Sequence, residues 1–427
     1  MEIAQLTEQN PWWLNKEKIL QDDKVREALS KEKEIKYSFE EKNTLLIGPR
    51  QVGKTTFVKL FIKHLLERGV EPKRVLYFSC ELLRDFKEII DIVRLSDSLI
   101  SGKKYLFFDE ITFVPDWQRA VKYFLDSLLG KNKMIYITGS SSIALKKETF
   151  PGREIKIKTM YPLSFKEFCL VFGSNGLKRE IKAKETSVEK RINQFVFCYE
   201  EIRELFAKYI QCGGFPRSAY EFMEKNEISE ETRDIMWKWF VADIAKIERS
   251  ERIASSVLIG ILKNYCSRFS LSSIAKEMEI GSHVTVRDYL EIFENLFIVR
   301  NVFPVDLKRE AEKFRKMRKV YFIDPFIYHV FKEKLLGLST KAEEVPKVVE
   351  GIVAEHLFRK YGKVFYLTGK KEIDFYTANT AIEVKWQNRV KKKNLAKIDV
   401  KNKVLLSKDE FELGDINIIP VSIFLLL

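Results

Sequence analysis

Gly48-Pro-Arg-Gln-Val-Gly-Lys-Thr-Thr56 is the stretch that decides the fold. It follows the apolar run Thr44-Leu-Leu-Ile47 and precedes a helix-forming segment from Phe57 to Leu66, so a G-x-x-x-x-G-K-[ST] loop lies between a strand and a helix. Gly48 and Gly53 let the backbone wrap a polyphosphate and aim successive N–H groups at its oxygens. The loop positions are Gly48, Pro49, Arg50, Gln51, Val52, Gly53, Lys54, Thr55 and Thr56. Lys54 brings a point charge to the β- and γ-phosphates, Thr55 offers a hydroxyl to Mg2+, and the helix beginning at Lys54 adds its positive end. A glycine-rich turn with no ligand is the bland alternative. The expectation is a nucleoside triphosphate site.

Two further elements agree with it. Tyr105-Leu-Phe-Phe-Asp109-Glu110 is an apolar run ending in two acids, as a buried parallel strand with a charged tip should look; an acidic pair at the end of an edge strand is the plainer alternative. Asp109 is expected to hold Mg2+ through water, and Glu110 to polarise the attacking water. Lys133-Met-Ile-Tyr-Ile-Thr138-Gly-Ser140 is a third apolar strand with a polar tip, suited to sensing the γ-phosphate through Thr138 or Ser140; the residues do not choose between them. Arg153, in Phe150-Pro-Gly-Arg153, is a candidate arginine finger acting in cis or on a neighbouring copy, against the plainer reading of a surface arginine opening a strand.

The chain has 427 residues, enough for two to four domains with cores of their own. Its 45% hydrophobic and 32% charged content is ordinary globular material whose Lys and Glu richness suits a thermophile. No apolar run reaches membrane-spanning length and the N-terminus has no signal-like pattern, so a cytoplasmic protein without membrane contact is expected. Five cysteines and four histidines show no C-x-x-C or paired-His spacing, which argues against structural zinc and a disulfide framework. A net charge of +14 and a pI near 9.2 favour a polyanionic partner.

The expected organisation is a helical lead-in over 1–40, with Trp12 and Trp13 packed on the motor core, then an α/β core over 41–165. A helical lid follows over 166–250, then a helix-turn-helix unit with a wing over 251–330, and a last α/β unit over 331–427. The core strands are Leu45–Ile47, Val75–Ser79, Leu106–Asp109, Ile135–Thr138 and Ile155–Thr159, joined by crossover helices into a parallel sheet. In the helix-turn-helix unit, Phe269-Ser-Leu-Ser-Ser-Ile-Ala275 opens a capped amphipathic helix, Ile280-Gly281 turns, and Thr285-Val-Arg287 lies on a second helix. Ser282, His283 and Arg287 are candidates for a DNA groove; the alternative is a rigid spacer or protein-contact module.

The last unit carries a second chemical pattern. A helix with Glu350 and Glu355 precedes Glu372-Ile-Asp374 and Ala381-Ile-Glu383-Val-Lys385. Asp374 and Glu383 on neighbouring strands suit a divalent metal, with Lys385 steering a water for phosphodiester hydrolysis. One helix acid would complete the set. Glu350 and Glu355 lie about 140° apart around a helix, so only one of them can do so. The bare E-x-K spacing also recurs at Glu34-Lys36, Glu71-Lys73 and Glu154-Lys156, so its weight comes from the preceding acid and the element order. Arg389, Lys391, Lys392 and Lys393, and the run on to Lys397, suit a phosphate backbone; a solvated charged face is the plainer account.

In combination these segments resemble a large group of archaeal and bacterial AAA-type ATPases with an uncharacterised C-terminal region. The matching stretches are the Gly48–Thr56 loop, Phe108-Asp-Glu-Ile111 with Pro115-Asp-Trp117, Thr138-Gly-Ser-Ser-Ser142, Gly152-Arg153, Tyr161-Pro-Leu-Ser-Phe-Lys-Glu-Phe168, Cys212-Gly-Gly-Phe-Pro216 and Val241-Ala-Asp-Ile244. The resemblance implies ATP at the loop, a P-loop NTPase sheet with a helical lid, a winged helix, and a C-terminal α/β fold similar to PD-(D/E)xK nucleases and Holliday-junction resolvases. Ile373 stands before Asp374, where such nucleases have a proline or apolar residue. The leading functional expectation is an ATP-hydrolysing switch or motor on nucleic acid, DNA above all and branched DNA included. An ATP-gated, metal-dependent nuclease is the second, and a homo-oligomerising signalling or scaffold ATPase the third.

Overall fold

The structure is a computed structural model that describes residues 3–140, 150, 152–183, 187–306, 311–312, 317–368, 372–393, 395–398 and 400–427. Ser141, Ser142 and Pro151 of the motifs above lie outside the described residues, as does the side chain of Lys397. The chain divides into two compact units, Met1–Tyr161 and Pro162–Leu427.

In the first unit five strands, β1 (Thr44–Ile47), β2 (Val75–Ser79), β3 (Lys104–Asp109), β4 (Lys133–Gly139) and β5 (Lys156–Thr159), form a parallel sheet in the order β2-β3-β4-β1-β5. β3 is buried along its whole length and β4 over all but its first residue, as strands covered by helices on both faces must be. Helix α1 (Lys54–Glu67) buries Phe57, Val58, Phe61, Ile62, Leu65 and Leu66, the i, i+3, i+4 rhythm of a core-facing helix. Its Phe61 ring meets Phe107 of β3 at 5.4 Å and Tyr136 of β4 at 5.8 Å, edge-on in both cases.

β2 lies at the edge of this sheet and the lead-in covers it. Asn10 is fully buried and mimics a strand: its amide nitrogen donates to the Tyr77 carbonyl at 2.9 Å and its oxygen accepts from the Tyr77 N–H at 2.6 Å. The indoles of Trp12 and Trp13 both donate to the Val75 carbonyl, at 3.0 and 2.8 Å, and the Gln9 side chain accepts from Ser79 N–H. The outer hydrogen-bonding groups of the edge are thus closed to another strand.

The second unit combines helices with a mixed sheet. β6 (Val299–Asp306) pairs antiparallel with β7 (Ala311–Glu312) and β8 (Lys319–Phe322), and parallel with β9 (Phe365–Leu367). β9, β10 (Ile373–Thr377) and β11 (Thr380–Val384) run antiparallel in turn; β12 (Asn402–Ser407) and β13 (Asn417–Pro420) continue in parallel. The expected boundary near residue 330 is therefore corrected. The hairpin β6/β8 and the C-terminal strands share one sheet because Phe303 and Pro304 register with Phe365 and Tyr366.

The expected lid over 166–250 is also built into this unit. Helices α2 (Phe165–Phe172) and α3 (Tyr199–Cys212) meet through Phe165, Phe206 and Tyr209, and Phe206 lies 5.7 Å from the Trp386 ring. Beyond α3, Gly213 has φ +65 and a side chain there would meet Asp324 Oδ1 at 2.0 Å; at Gly214 it would meet the Leu163 carbonyl at 1.9 Å. Only glycine fits both. Buried Asp324 accepts from Gly214 N–H and from Phe326 N–H, the latter capping a helix over Pro325–Leu336. No helix among the described residues is long and apolar enough to cross a membrane.

Candidate functional site

The loop after β1 has the backbone its sequence demands. Gly48 has φ +156, and a Cβ there would sit 2.1 Å from the carbonyl oxygen of Met160, a residue whose own N–H donates to the Ile47 carbonyl. Gln51 and Gly53 are left-handed at φ 66 and 94, the second of them heading α1. Lys54 is buried and folds back, donating to the carbonyls of Gly48 and Pro49, each at 2.9 Å. The guanidinium of Arg50 lies 5.5 Å from the centre of the Phe113 ring.

Strand order brings the other groups in. β4 lies between β1 and β3, so its polar tip stands between the loop and the acids. Asp109 is buried and gathers three hydroxyls. Thr55 Oγ1 donates to Oδ2 at 2.8 Å, Tyr77 OH donates to the same oxygen at 3.0 Å, and Thr138 Oγ1 donates to Oδ1. Thr138 Oγ1 in turn accepts from Glu110 N–H at 2.9 Å, fixing the left-handed backbone of Glu110 at φ 52. The Glu110 carboxylate is 3.9 Å from Lys54 Nζ. Thr138 is thus the residue bonded into this network, while Ser140 is buried close by in sequence. Tyr77 is a member that its sequence did not announce. Burial first, and the Asp109 charge after it, hold its phenol well above the ordinary range, so it serves as a neutral donor.

Residues 40–169 match the family model of an AAA domain, and residues 203–342 match a domain of unknown function. Residues 40–169 are an AAA-type P-loop ATPase domain. The chain is 27% identical over 318 residues to an uncharacterized protein of Methanocaldococcus jannaschii, covering 70% of this chain and 64% of that one. It is 25% identical over 348 residues to an uncharacterized protein of Haemophilus influenzae, covering 78% of each. The chain therefore spans less than two thirds of the first relative's length. Among solved structures, the Orc1 protein of Aeropyrum pernix in complex with DNA aligns over 77% of this chain and 97% of its own, at 15% identity and a TM-score of 0.34. A score that low carries no conclusion for this chain.

Within the AAA domain, Thr55 and Asp109 present hard oxygen donors side by side, a set that suits a small divalent cation. Arg153 is committed elsewhere. Its Nε and one terminal nitrogen fork onto Asp126 at 2.8 and 2.6 Å, which raises the arginine and lowers the exposed carboxylate. The expectation of a finger in cis is not met by this pairing.

In the second unit the two helix acids separate. In helix α4 (Val345–Tyr361), Glu355 is buried between Arg300 at 3.0 Å and Arg359 at 2.9 Å, a structural ion pair; it does not join Asp374. Glu350 does, through a residue missed in the sequence. Lys319 Nζ lies 2.8 Å from Glu372, 3.2 Å from Asp374 Oδ1 and 3.4 Å from Glu350. Tyr321 OH also donates to Glu350 at 2.6 Å. Glu383 is buried and pairs with Lys385 at 2.9 Å, while Asp374 Oδ2 accepts from Val384 N–H. No sequence signal pointed to Lys319, which sits in β8 of the hairpin rather than in the acid-bearing segment. Among the described residues, no group of three or more His, Cys, Asp or Glu is arranged to hold a metal ion. The expected pair Asp374 and Glu383 is instead held by separate lysines, Lys319 and Lys385.

The expected DNA-facing residues divide as well. Ser282 caps the helix His283–Asn295 by accepting from Val284 N–H, so its hydroxyl is taken by the fold. His283 and Arg287 are exposed on that helix, Arg287 beside Asp288 at 3.2 Å. Arg389, Lys391 and Lys393 are exposed, whereas Lys392 pairs with Glu412 at 2.7 Å.

Proposed function

We propose that the chain binds ATP with Mg2+, hydrolyses it, and uses the cycle as a switch or motor acting on nucleic acid, DNA first and branched DNA included. The carrying observation is the bonded set Thr55, Asp109, Thr138 and Glu110 beneath a glycine loop. Lys54 would exchange the two loop carbonyls for phosphate oxygens, and the loop N–H groups would hold the rest of the polyphosphate. Thr55 and Asp109 are the residues that would hold Mg2+, which when bound neutralises charge on the phosphates. Thr138 keeps the Glu110 backbone in place, so that its carboxylate can orient a water. Arg153 is assigned to a neighbouring copy's site in a homo-oligomer, released from Asp126 when the copies meet.

The nucleic-acid half rests on the net charge of +14, on a winged-helix reading of His283–Asn295 with the β6/β8 hairpin, and on exposed Arg389, Lys391 and Lys393. This reading places the protein in the cytoplasm. The test is ATP turnover with single-stranded, duplex and four-way-junction DNA, beside Lys54→Ala. Turnover should rise with DNA and fall by about two orders of magnitude or more in the variant. Turnover indifferent to all three DNAs removes the nucleic-acid half; unchanged turnover in Lys54→Ala removes the nucleotide half.

A further inference from the structure

We propose that Lys319 is the resident cation of the acidic cluster in the second unit, occupying the place where a nuclease-like reading puts a divalent metal. Its strand, β8, belongs to the hairpin, where Lys319 registers opposite Val302. From there the side chain, 1% exposed, ends among carboxylates from two other elements: Glu350 of α4, Asp374 of β10 and Glu372 just ahead of β10. Three of the oxygens that such a metal would draw on are already engaged. Asp374 gives Oδ1 to Lys319 and Oδ2 to Val384 N–H; Glu350 Oε1 accepts from both Lys319 and Tyr321.

A divalent ion brought to the same oxygens would face a fixed ammonium about one contact distance away, with little water to screen the repulsion. Glu372, Asp374 and Glu350, at 2.8, 3.2 and 3.4 Å, surround the ammonium. A buried, fully paired lysine cannot simply swing aside. Lys385, paired with Glu383 at 2.9 Å, adds a second ammonium. The cluster then ties β8, β10 and α4 together as a polar centre.

The test is a Mn2+ titration of the full chain, free of nucleotide and DNA, reading unbound Mn2+ by electron paramagnetic resonance. Parent and Asp374→Asn proteins should bind Mn2+ alike up to about millimolar concentration, with no Asp374-dependent site. Lys319→Ala should gain one site at least about tenfold tighter, lost again when Asp374→Asn is added. A saturable site in the parent that disappears in Asp374→Asn overturns the proposal, as does a folded Lys319→Ala protein that gains none. Should Lys319→Ala not fold, the parent and Asp374→Asn comparison decides alone. Because neither ATP nor DNA is present, failure here leaves the ATPase reading untouched.

Discussion

Asp324 shows how much one side chain can carry. It receives two backbone N–H groups, from Gly214 and Phe326, and so explains why Cys212-Gly-Gly-Phe-Pro216 needs both glycines. Complete burial nonetheless raises its carboxyl from 3.8 to about 7, with the two N–H bonds and Arg359 only partly opposing that rise. The folded pKa lies above the unfolded one, so the native state holds the extra proton between them. Its contribution is full below about 4 and is lost as pH rises through about 7. The interval corresponds to on the order of 4 kcal/mol, since each tenfold change in proton affinity is worth about 1.4 kcal/mol. Denaturant unfolding at pH 5 and pH 7.5 should show the parent losing roughly 2–3 kcal/mol more than Asp324→Asn over that interval. Equal losses in the two proteins would mean the carboxyl stays ionised throughout.

At the scale of elements, the lead-in matters because it seals an edge. Asn10 bonds both backbone groups of Tyr77, so Asn10→Ala leaves a buried N–H and C=O without their partner and should cost about 2–3 kcal/mol. The variant should also scatter more light on standing, since β2 becomes open to pairing with another chain. A melting profile and scattering trace equal to the parent's would place the edge seal in the two tryptophans alone. The packing of Trp12 and Trp13 was legible in their apolar size, but the strand-mimicking amide of Asn10 was not, because the sequence never says which strand lies at an edge. The five core strands were legible within a residue or two, since buried parallel strands are continuous apolar runs bounded by polar tips. Thr138 was legible only as one of two hydroxyls; strand order, which a sequence does not carry, turned it onto Asp109. Lys319 was invisible for the same reason. Its partners come from Glu350, 31 residues away, and Asp374, 55 residues away, through a sheet that merges two segments read as separate domains.

For the whole molecule the open quantity is how the positive charge is used. Counterion release makes affinity for DNA fall linearly in log–log against salt, with a slope of roughly 0.9 per phosphate neutralised. Arg389, Lys391 and Lys393 are exposed and lie in one short segment, whereas Lys392 is held by Glu412 and should contribute less. Replacing the first three with alanine should lower the slope by about 2–3 and weaken binding about equally for every DNA sequence, since phosphate contacts carry no base identity. Lys392→Ala should change the slope by well under about 1, because its ammonium already has a carboxylate partner. Arg287, on the exposed start of its helix, belongs to a different class: if that helix enters a groove, Arg287→Ala should weaken some sequences by about 1–3 kcal/mol and spare others. Fluorescence anisotropy across a salt series, with two unrelated duplexes, separates these outcomes. An unchanged slope in the triple variant would mean that the Arg389–Lys393 segment makes no phosphate contact.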